Sequence, residues 1–142
     1  VAIIRPFNTY GPRQSARAII PTVITQIANS MRKIRLAAIS PTRDFTFVMD
    51  TVRGFVAIAE SDQSVGEVIN IGSGSETSID SLIALIGQIL NKPIEPLRNS
   101  SGGGVKRLWA NIGKAHALLG FTPRVALEEG LRLTLDRDAR FK

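Results

Sequence analysis

Val1-Ala2-Ile3-Ile4-Arg5-Pro6-Phe7-Asn8-Thr9-Tyr10-Gly11-Pro12-Arg13-Gln14 opens the chain. Its first four residues are apolar and three of them are β-branched, which reads as a buried parallel strand. The stretch from Arg5 to Arg13 follows with two prolines, a glycine and an asparagine, the composition of a loop with specified turns. Parallel strands need neighbours on both sides, and nothing here precedes this one. The pattern therefore predicts an α/β chain cut out of a longer protein, beginning on a strand whose sheet is missing.

The rest of the chain extends this reading. Pro21 suits the first turn of a helix, with Ile20, Ile24, Ile27, Ala28 and Met31 on one face and an end near Asn29 or Ser30. Ile34 to Ile39 and Phe45 to Val48 read as short strands joined by Ser40-Pro41-Thr42-Arg43-Asp44. Asp50 or Thr51 is expected to cap a helix whose buried stripe is Val52, Phe55, Val56 and Ala59. Glu67 to Ile71 is strongly β and closes on Gly72-Ser73-Gly74. Thr77 or Ser78 then caps a helix with Asp80 in its first turn, where the helix dipole favours a carboxylate, and with Ile79, Leu82, Ile83, Ile86 and Leu90 on its apolar face. Arg98 to Gly104 is the most flexible stretch by composition. Asn111 is expected to cap a short helix ending at Gly120, and Leu127, Leu131, Thr134 and Leu135 mark a last one. The expected architecture is α/β, with short strands and five helical segments.

Composition removes whole reaction classes. The 142 residues contain no cysteine, so disulfide scaffolds, thiol nucleophiles and Cys-ligated zinc are excluded. His116 is the only histidine, so a His-rich metal site or a Ser-His-Asp triad is impossible. No apolar run approaches the roughly 20 residues that span a bilayer, and the first 20 residues lack a signal-peptide core. A cytoplasmic protein without a membrane partner is expected. Eighteen Lys and Arg against twelve Asp and Glu favour an anionic partner. The basic residues are scattered without a stripe or interleaved aromatics, which speaks against nucleic acid.

Five features bear on chemistry. Gly72-Ser73-Gly74-Ser75-Glu76-Thr77 follows a strand and opens a helix, as a dinucleotide fingerprint does. It has only two of the three glycines and no acidic residue on a strand about 20 positions later, so a tight turn competes with phosphate binding. Tyr10 is not followed four residues later by the lysine a catalytic phenol needs, since Gln14 stands there, and it reads as a packing or turn residue. Arg43-Asp44 is either a surface pair worth at most about 1 kcal/mol or a guanidinium that grips a diphosphate and is oriented by its neighbouring acid. Trp109 reads as core and His116 as a surface or partly buried helix residue.

Taken in order, Arg5 to Gln14, Ile20-Pro21, Pro41-Thr42-Arg43-Asp44-Phe45-Thr46-Phe47-Val48 with Asp50-Thr51, Gly66-Glu67 with Asn70-Ile71-Gly72-Ser73-Gly74, Lys114-Ala115, Leu119-Gly120-Phe121 with Pro123, and Leu127-Glu128-Glu129-Gly130-Leu131 resemble the C-terminal half of the extended short-chain dehydrogenase/reductases. These are the NAD-dependent nucleotide-sugar epimerases and 4,6-dehydratases. The likeness is greatest to bacterial UDP- or GDP-N-acetylglucosamine 4,6-dehydratases, and it runs from residue 1 to about 136. The resemblance implies a substrate-binding domain with one trailing Rossmann strand. Residues 1–12 would be the remnant of the NAD-binding domain and 13–142 the nucleotide-sugar-binding domain.

It also implies roles. Pro6 and Phe7 match the loop beside the nicotinamide, and Asn8 matches the amide on the sugar-nucleotide diphosphate. Ile20 and Pro21 open the helix that closes over the nucleotide, and Arg35 and Ala37 line the base. Arg43 clamps the diphosphate, and Arg98 approximates a second phosphate arginine. The departures are Ala37 in place of a glycine, the Gly/Ser-rich surroundings of Arg98, and Asn111 in place of an aspartate. The 142 residues carry neither the Rossmann glycine motif nor Tyr-x-x-x-Lys. The expectation is thus a UDP-, GDP- or dTDP-sugar-binding half, a natural truncation or an excised piece, with no catalytic residue and no metal, that binds no NAD(P) tightly and is inactive alone. A second copy or the missing Rossmann half is the expected protein partner. The rival reading is a non-catalytic binding or interaction module derived from the same family.

Overall fold

The computed structural model describes residues 1–29, 33–36, 41–92, 94 and 105–142. Among them the chain forms two compact units, one from residues 1–10, 43–76 and 108–127, the other from 11–42, 77–107 and 128–142.

The first unit is organised on a parallel pair. Strand β1 (Ile3–Pro6) runs beside β5 (Val68–Ile71), with Ile3 opposite Val68 and Pro6 opposite Ile71. The N–H groups of Ile3 and Phe7 donate to Glu67 and Ile71 at 2.9 Å. Odd-numbered residues thus face β5, and Pro6, which has no N–H, turns that deficit to the other edge. The expected opening strand is shifted and supplied with a partner: it spans Ile3–Pro6 rather than Val1–Ile4. It is also not buried, since Ile3 is half exposed and Val1 wholly so. Strand β2 (Thr9–Tyr10) pairs in parallel with β4 (Thr46–Phe47).

Helix α2 (Val48–Ala59) connects β4 toward β5 and packs on the latter through Gly54. A Cβ on Gly54 would fall 2.6 Å from the Ile71 side chain, so glycine is what lets helix and strand approach. Ile58, Ile69, Ile71, Ala115 and Phe121 form the core beneath, with Ile4 and Leu118 against it. Here the periodicity reading is inverted. The buried face of α2 is Asp50, Thr51, Gly54 and Ile58, whereas Val52, Phe55 and Val56 are 45–48% exposed. The helix also starts three to four residues earlier than expected, with Phe47 rather than Asp50 or Thr51 at its N-cap. Asp50 lies in the first turn, where one of its oxygens, Oδ2, accepts the Arg124 and Val125 N–H groups at 3.0 Å. Its Oδ1 faces Arg53 at 2.5 Å as an ion pair. Remote donors explain why a carboxylate is buried where periodicity expects a valine. Helix α4 (Gly113–Leu119) ends on Gly120 at φ 60; its N-cap is Ile112 rather than the expected Asn111, whose Oδ1 accepts the Gly113 N–H at 3.0 Å from one position outside the cap. Trp109 is 48% exposed, which corrects its reading as core.

The second unit is helical around an isoleucine-rich core. Helix α1 (Ile19–Ala28) buries Ile20, Ile24 and Ile27 of the expected stripe together with Pro21 and Val23, leaves the expected Ala28 exposed, and ends at Asn29. Met31 lies outside the described residues. Helix α3 (Ile79–Ile89) packs on α1 through Ile79, Leu82, Ile83 and Ile86. Ser78 caps it by accepting the Ser81 N–H at 3.0 Å. Lys92 Nζ closes the other end of α1 on the Ile27 and Ala28 carbonyls, a cation placed at a helix C-terminus. The strand expected from Ile34 is corrected in its described part. Lys33 makes a single bridge and Ile34 to Leu36 join no ladder, because the Gln26 side chain takes both the N–H and the carbonyl of Arg35. Short strands β3 (Thr42–Arg43), β6 (Thr77–Ser78) and β7 (Arg107–Leu108) line up in the order β6-β3-β7, with the Thr42 N–H on the Lys106 carbonyl. Helix α5 (Leu127–Arg137) buries Leu131 and Thr134. No helix among the described residues is long and apolar enough to cross a membrane.

Candidate functional site

Parallel strands place ligands at their carboxyl ends, where loops diverge and backbone groups are unpaired. The chain leaves β1 into Phe7 and Asn8 and leaves β5 into Gly72, Ser73 and Gly74, so both exits fall on the same edge of the sheet. The segment from Arg43 to Thr46 joins them. Thr46 donates its N–H to the Asn8 carbonyl at 3.2 Å and its hydroxyl to Asp44 Oδ1 at 3.0 Å. Asn8 is exposed, Arg43 is half-buried, and Asp44 between Arg43 and the aromatic strand is fully buried.

Asp44 is the centre of the arrangement. Its Oδ1 also accepts the Ser73 N–H at 2.8 Å and the Ser73 hydroxyl at 2.7 Å, while its Oδ2 accepts the Gly74 N–H at 2.9 Å and the Ala110 N–H at 3.0 Å. Five donors from three segments satisfy the buried charge. The glycine turn after β5 thereby has its meaning settled: consecutive amides that would cradle a phosphate hold an internal carboxylate instead. The tight-turn reading of Gly72-Ser73-Gly74 is the structural one. The role suggested for Asp44, orienting a neighbouring arginine, is replaced by a wider one, since its lone pairs go to the loop after β5 and to Ala110.

The other expected residues are distributed as follows. Pro6 is exposed at the end of β1 and Phe7 half-buried just beyond it. Both, with Asn8 and Arg43, belong to the first unit. Ile20, Pro21 and Arg35 belong to the second. Ile20 and Pro21 lie in the core at the start of α1, while Arg35 is exposed, its backbone fixed by Gln26. Ala37 and Arg98 lie outside the described residues. Tyr10 is a packing residue: it is 1% exposed, makes an edge-on contact with Phe47 at 5.7 Å, and donates its hydroxyl to the Leu127 carbonyl at 3.2 Å. His116 is an exposed residue of α4. No group of metal-ligating side chains forms among the described residues.

Two features escaped the sequence reading. Asp138, 1% exposed, accepts the Arg13 N–H at 2.7 Å and holds Arg140 through both oxygens, at 3.0 and 2.6 Å. The bonded guanidinium keeps the carboxyl far below the ordinary carboxylate range, the two N–H donors add to this, and burial opposes it. Arg13 sits at φ 64, a left-handed conformation costly for a side-chain-bearing residue, and Asp138 holds it there. No local sequence pattern announces a bond across 125 positions. The second feature is an open groove of about 330 Å³ beside α2, lined by Val52, Arg53, Val56, Glu60, Phe121 and Arg124, none of which is an expected site residue.

Comparisons with known proteins identify the family. Residues 1–134 match the family described as GDP-mannose 4,6 dehydratase. The chain is 31% identical to a UDP-glucuronate 4-epimerase of Thermodesulfobacterium geofontis and 33% identical to a UDP-glucose 4-epimerase of Mycolicibacterium smegmatis, with 96% and 94% of this chain aligned to 42% and 44% of theirs. Among solved structures it is similar to the UDP-glucuronic acid 4-epimerase of Bacillus cereus, determined with UDP-glucuronic acid and NAD. That match has 36% identity and a TM-score of 0.83, covering 95% of this chain and 44% of the other. The chain thus spans less than half the length of these relatives.

Proposed function

Because the chain belongs to the GDP-mannose 4,6 dehydratase family, whose members here are extended short-chain dehydrogenase/reductases, we propose that it is the nucleotide-sugar-binding half of an NAD-dependent epimerase or 4,6-dehydratase. Asn8 and Arg43 hold the diphosphate in this reading, Ile20, Pro21, Arg35 and Ala37 shape the nucleotide pocket, and Arg98 adds a second cation. Residues 1–12 contribute the trailing strand of the NAD-binding domain and residues 13–142 the sugar-nucleotide domain. The supporting observation is the Asn8–Thr46–Asp44 connection, which puts Asn8 and the residue following Arg43 on one hydrogen-bonded segment at the carboxyl edge of the β1–β5 pair. A guanidinium matches a diphosphate by offering parallel N–H donors, and an amide adds a neutral donor beside it. Binding energy from that remote group orients the reacting sugar in a complete enzyme.

The nicotinamide cofactor does not fit these residues alone. Pro6 and Phe7 stand at the edge of the sheet, but the amides of the glycine turn after β5 are taken by Asp44 and are not open to a cofactor pyrophosphate. Titration with UDP, GDP and dTDP tests the reading. Millimolar or tighter binding of one of them, abolished by Arg43→Ala, is the expected result. Absence of binding to all three removes the reading and leaves an interaction module of the same descent.

A further inference from the structure

We propose that Asp44 is the positioning residue of the diphosphate clasp: it fixes Arg43 and Asn8 without touching the ligand. The inference rests on the reading of those two residues given above. Asp44 is 0% exposed, and each of its donors comes from a part of the chain that must be held for the clasp to exist. Ser73 and Gly74 fix the loop leaving β5, Ala110 fixes the segment that follows β7, and Thr46 carries the bond to Asn8. Arg43 is the adjacent residue, so its Cα is anchored by whatever anchors Asp44. The packing is close on every side. A Cβ at Gly72 would stand 2.3 Å from Ala110 Cβ and 3.0 Å from Asp44 Oδ2, so nothing larger than hydrogen fits between carboxylate and loop. Recognition by a planar fork tolerates displacement of only about 0.5 Å, so a loosened anchor removes the second phosphate contact before it unfolds the chain.

Asn is the informative substitution. Oδ1 meets the Ser73 amide and Oδ2 the Gly74 and Ala110 amides, so either orientation of an asparagine turns its NH2 group toward backbone donors. The wild-type chain, Asp44→Asn, Ser73→Ala and Arg43→Ala are titrated calorimetrically with UDP and with UMP. In Asp44→Asn, UDP affinity falls by about tenfold or more while UMP affinity changes by less than about twofold, because the loss is confined to the outer phosphate. A merely structural role lowers both nucleotides by the same factor, through the folded fraction. Should Asp44→Asn not fold, Ser73→Ala, which removes one of the five donors, loses UDP affinity about threefold with UMP unchanged. Wild-type discrimination between UDP and UMP in Asp44→Asn or Ser73→Ala, with Arg43→Ala having lost it, overturns the proposal alone. A wild-type chain that prefers none of UDP, GDP and dTDP over the corresponding monophosphate overturns the diphosphate reading and this inference with it.

Discussion

The Asp44 carboxylate takes both hydrogens that Ser73 can offer, the amide at 2.8 Å and the hydroxyl at 2.7 Å, across 29 positions of sequence. Two charge-assisted bonds into one loop from a buried anion are strong because no water competes for them. Replacing Asp44 by alanine orphans the Ser73, Gly74 and Ala110 amides together, and a loss of roughly 3 kcal/mol or more is expected from the unsatisfied donors. Urea unfolding of wild type and variant measures it, and a loss below about 1 kcal/mol contradicts the assignment.

Gly72→Ala tests the same close packing from the loop side. The added methyl meets Ala110 Cβ at 2.3 Å, so backbone must move, and a cost of about 1–3 kcal/mol follows. Gly66, at φ +83 with nothing within 4 Å of an added methyl group, has only its backbone conformation to lose. Thermal melts of the two alanine variants separate crowding from conformation: Gly72→Ala exposes the Asp44 cluster to strain and lowers the nucleotide response too, whereas Gly66→Ala leaves it unchanged.

The orientation of α2 makes a third contrast. Ile58 is 6% exposed beneath the β1–β5 pair and Phe55 is 46% exposed. Ile58→Ala is expected to cost about 2–5 kcal/mol. Phe55→Ser is expected to change stability by less than about 1 kcal/mol despite deleting the larger side chain. Equal losses in chemical unfolding would restore the stripe that periodicity suggests.

Acid stability reports on Asp138. Arg140 holds its carboxyl below the ordinary range, so the folded chain binds that proton less readily than the unfolded one. The contribution is present at neutral pH, begins to be lost as pH nears the unfolded value of about 4, and is gone only below the much lower folded value. Asp138→Asn therefore melts lower than wild type at pH 7, and the difference narrows as pH drops from about 5 to 3. A gap that stays constant over that interval sinks the linkage.

These contrasts also show what local pattern carries and what it does not. Helices α1 and α3 were legible because Ile20, Ile24 and Ile27, and Ile79, Leu82, Ile83 and Ile86, bury against one another at helical spacing. Helix α2 was legible as a helix, but it begins three to four residues earlier than expected and is inverted in face. Its buried side is polar because Asp50 is satisfied by amides more than 70 positions away, a fact periodicity cannot contain. The partner of β1 is likewise some 65 residues distant. For the candidate site, Asn8 emerged only from the family motifs, while Arg43 carried a diphosphate reading from its own guanidinium chemistry that the motifs strengthened. Asp44 was visible only as a neighbour of Arg43, because the three segments that bond it meet only in the fold.

Amide and side-chain NMR of the isotope-labelled chain titrated with UDP reads out the diphosphate clasp residue by residue. The largest shifts are expected on the Asn8 side-chain amide, the Arg43 guanidinium and the Gly72–Gly74 amides, and they vanish in Arg43→Ala. Shifts confined to the groove at Val52, Val56 and Phe121, with Asn8 and Arg43 unmoved, would contradict it.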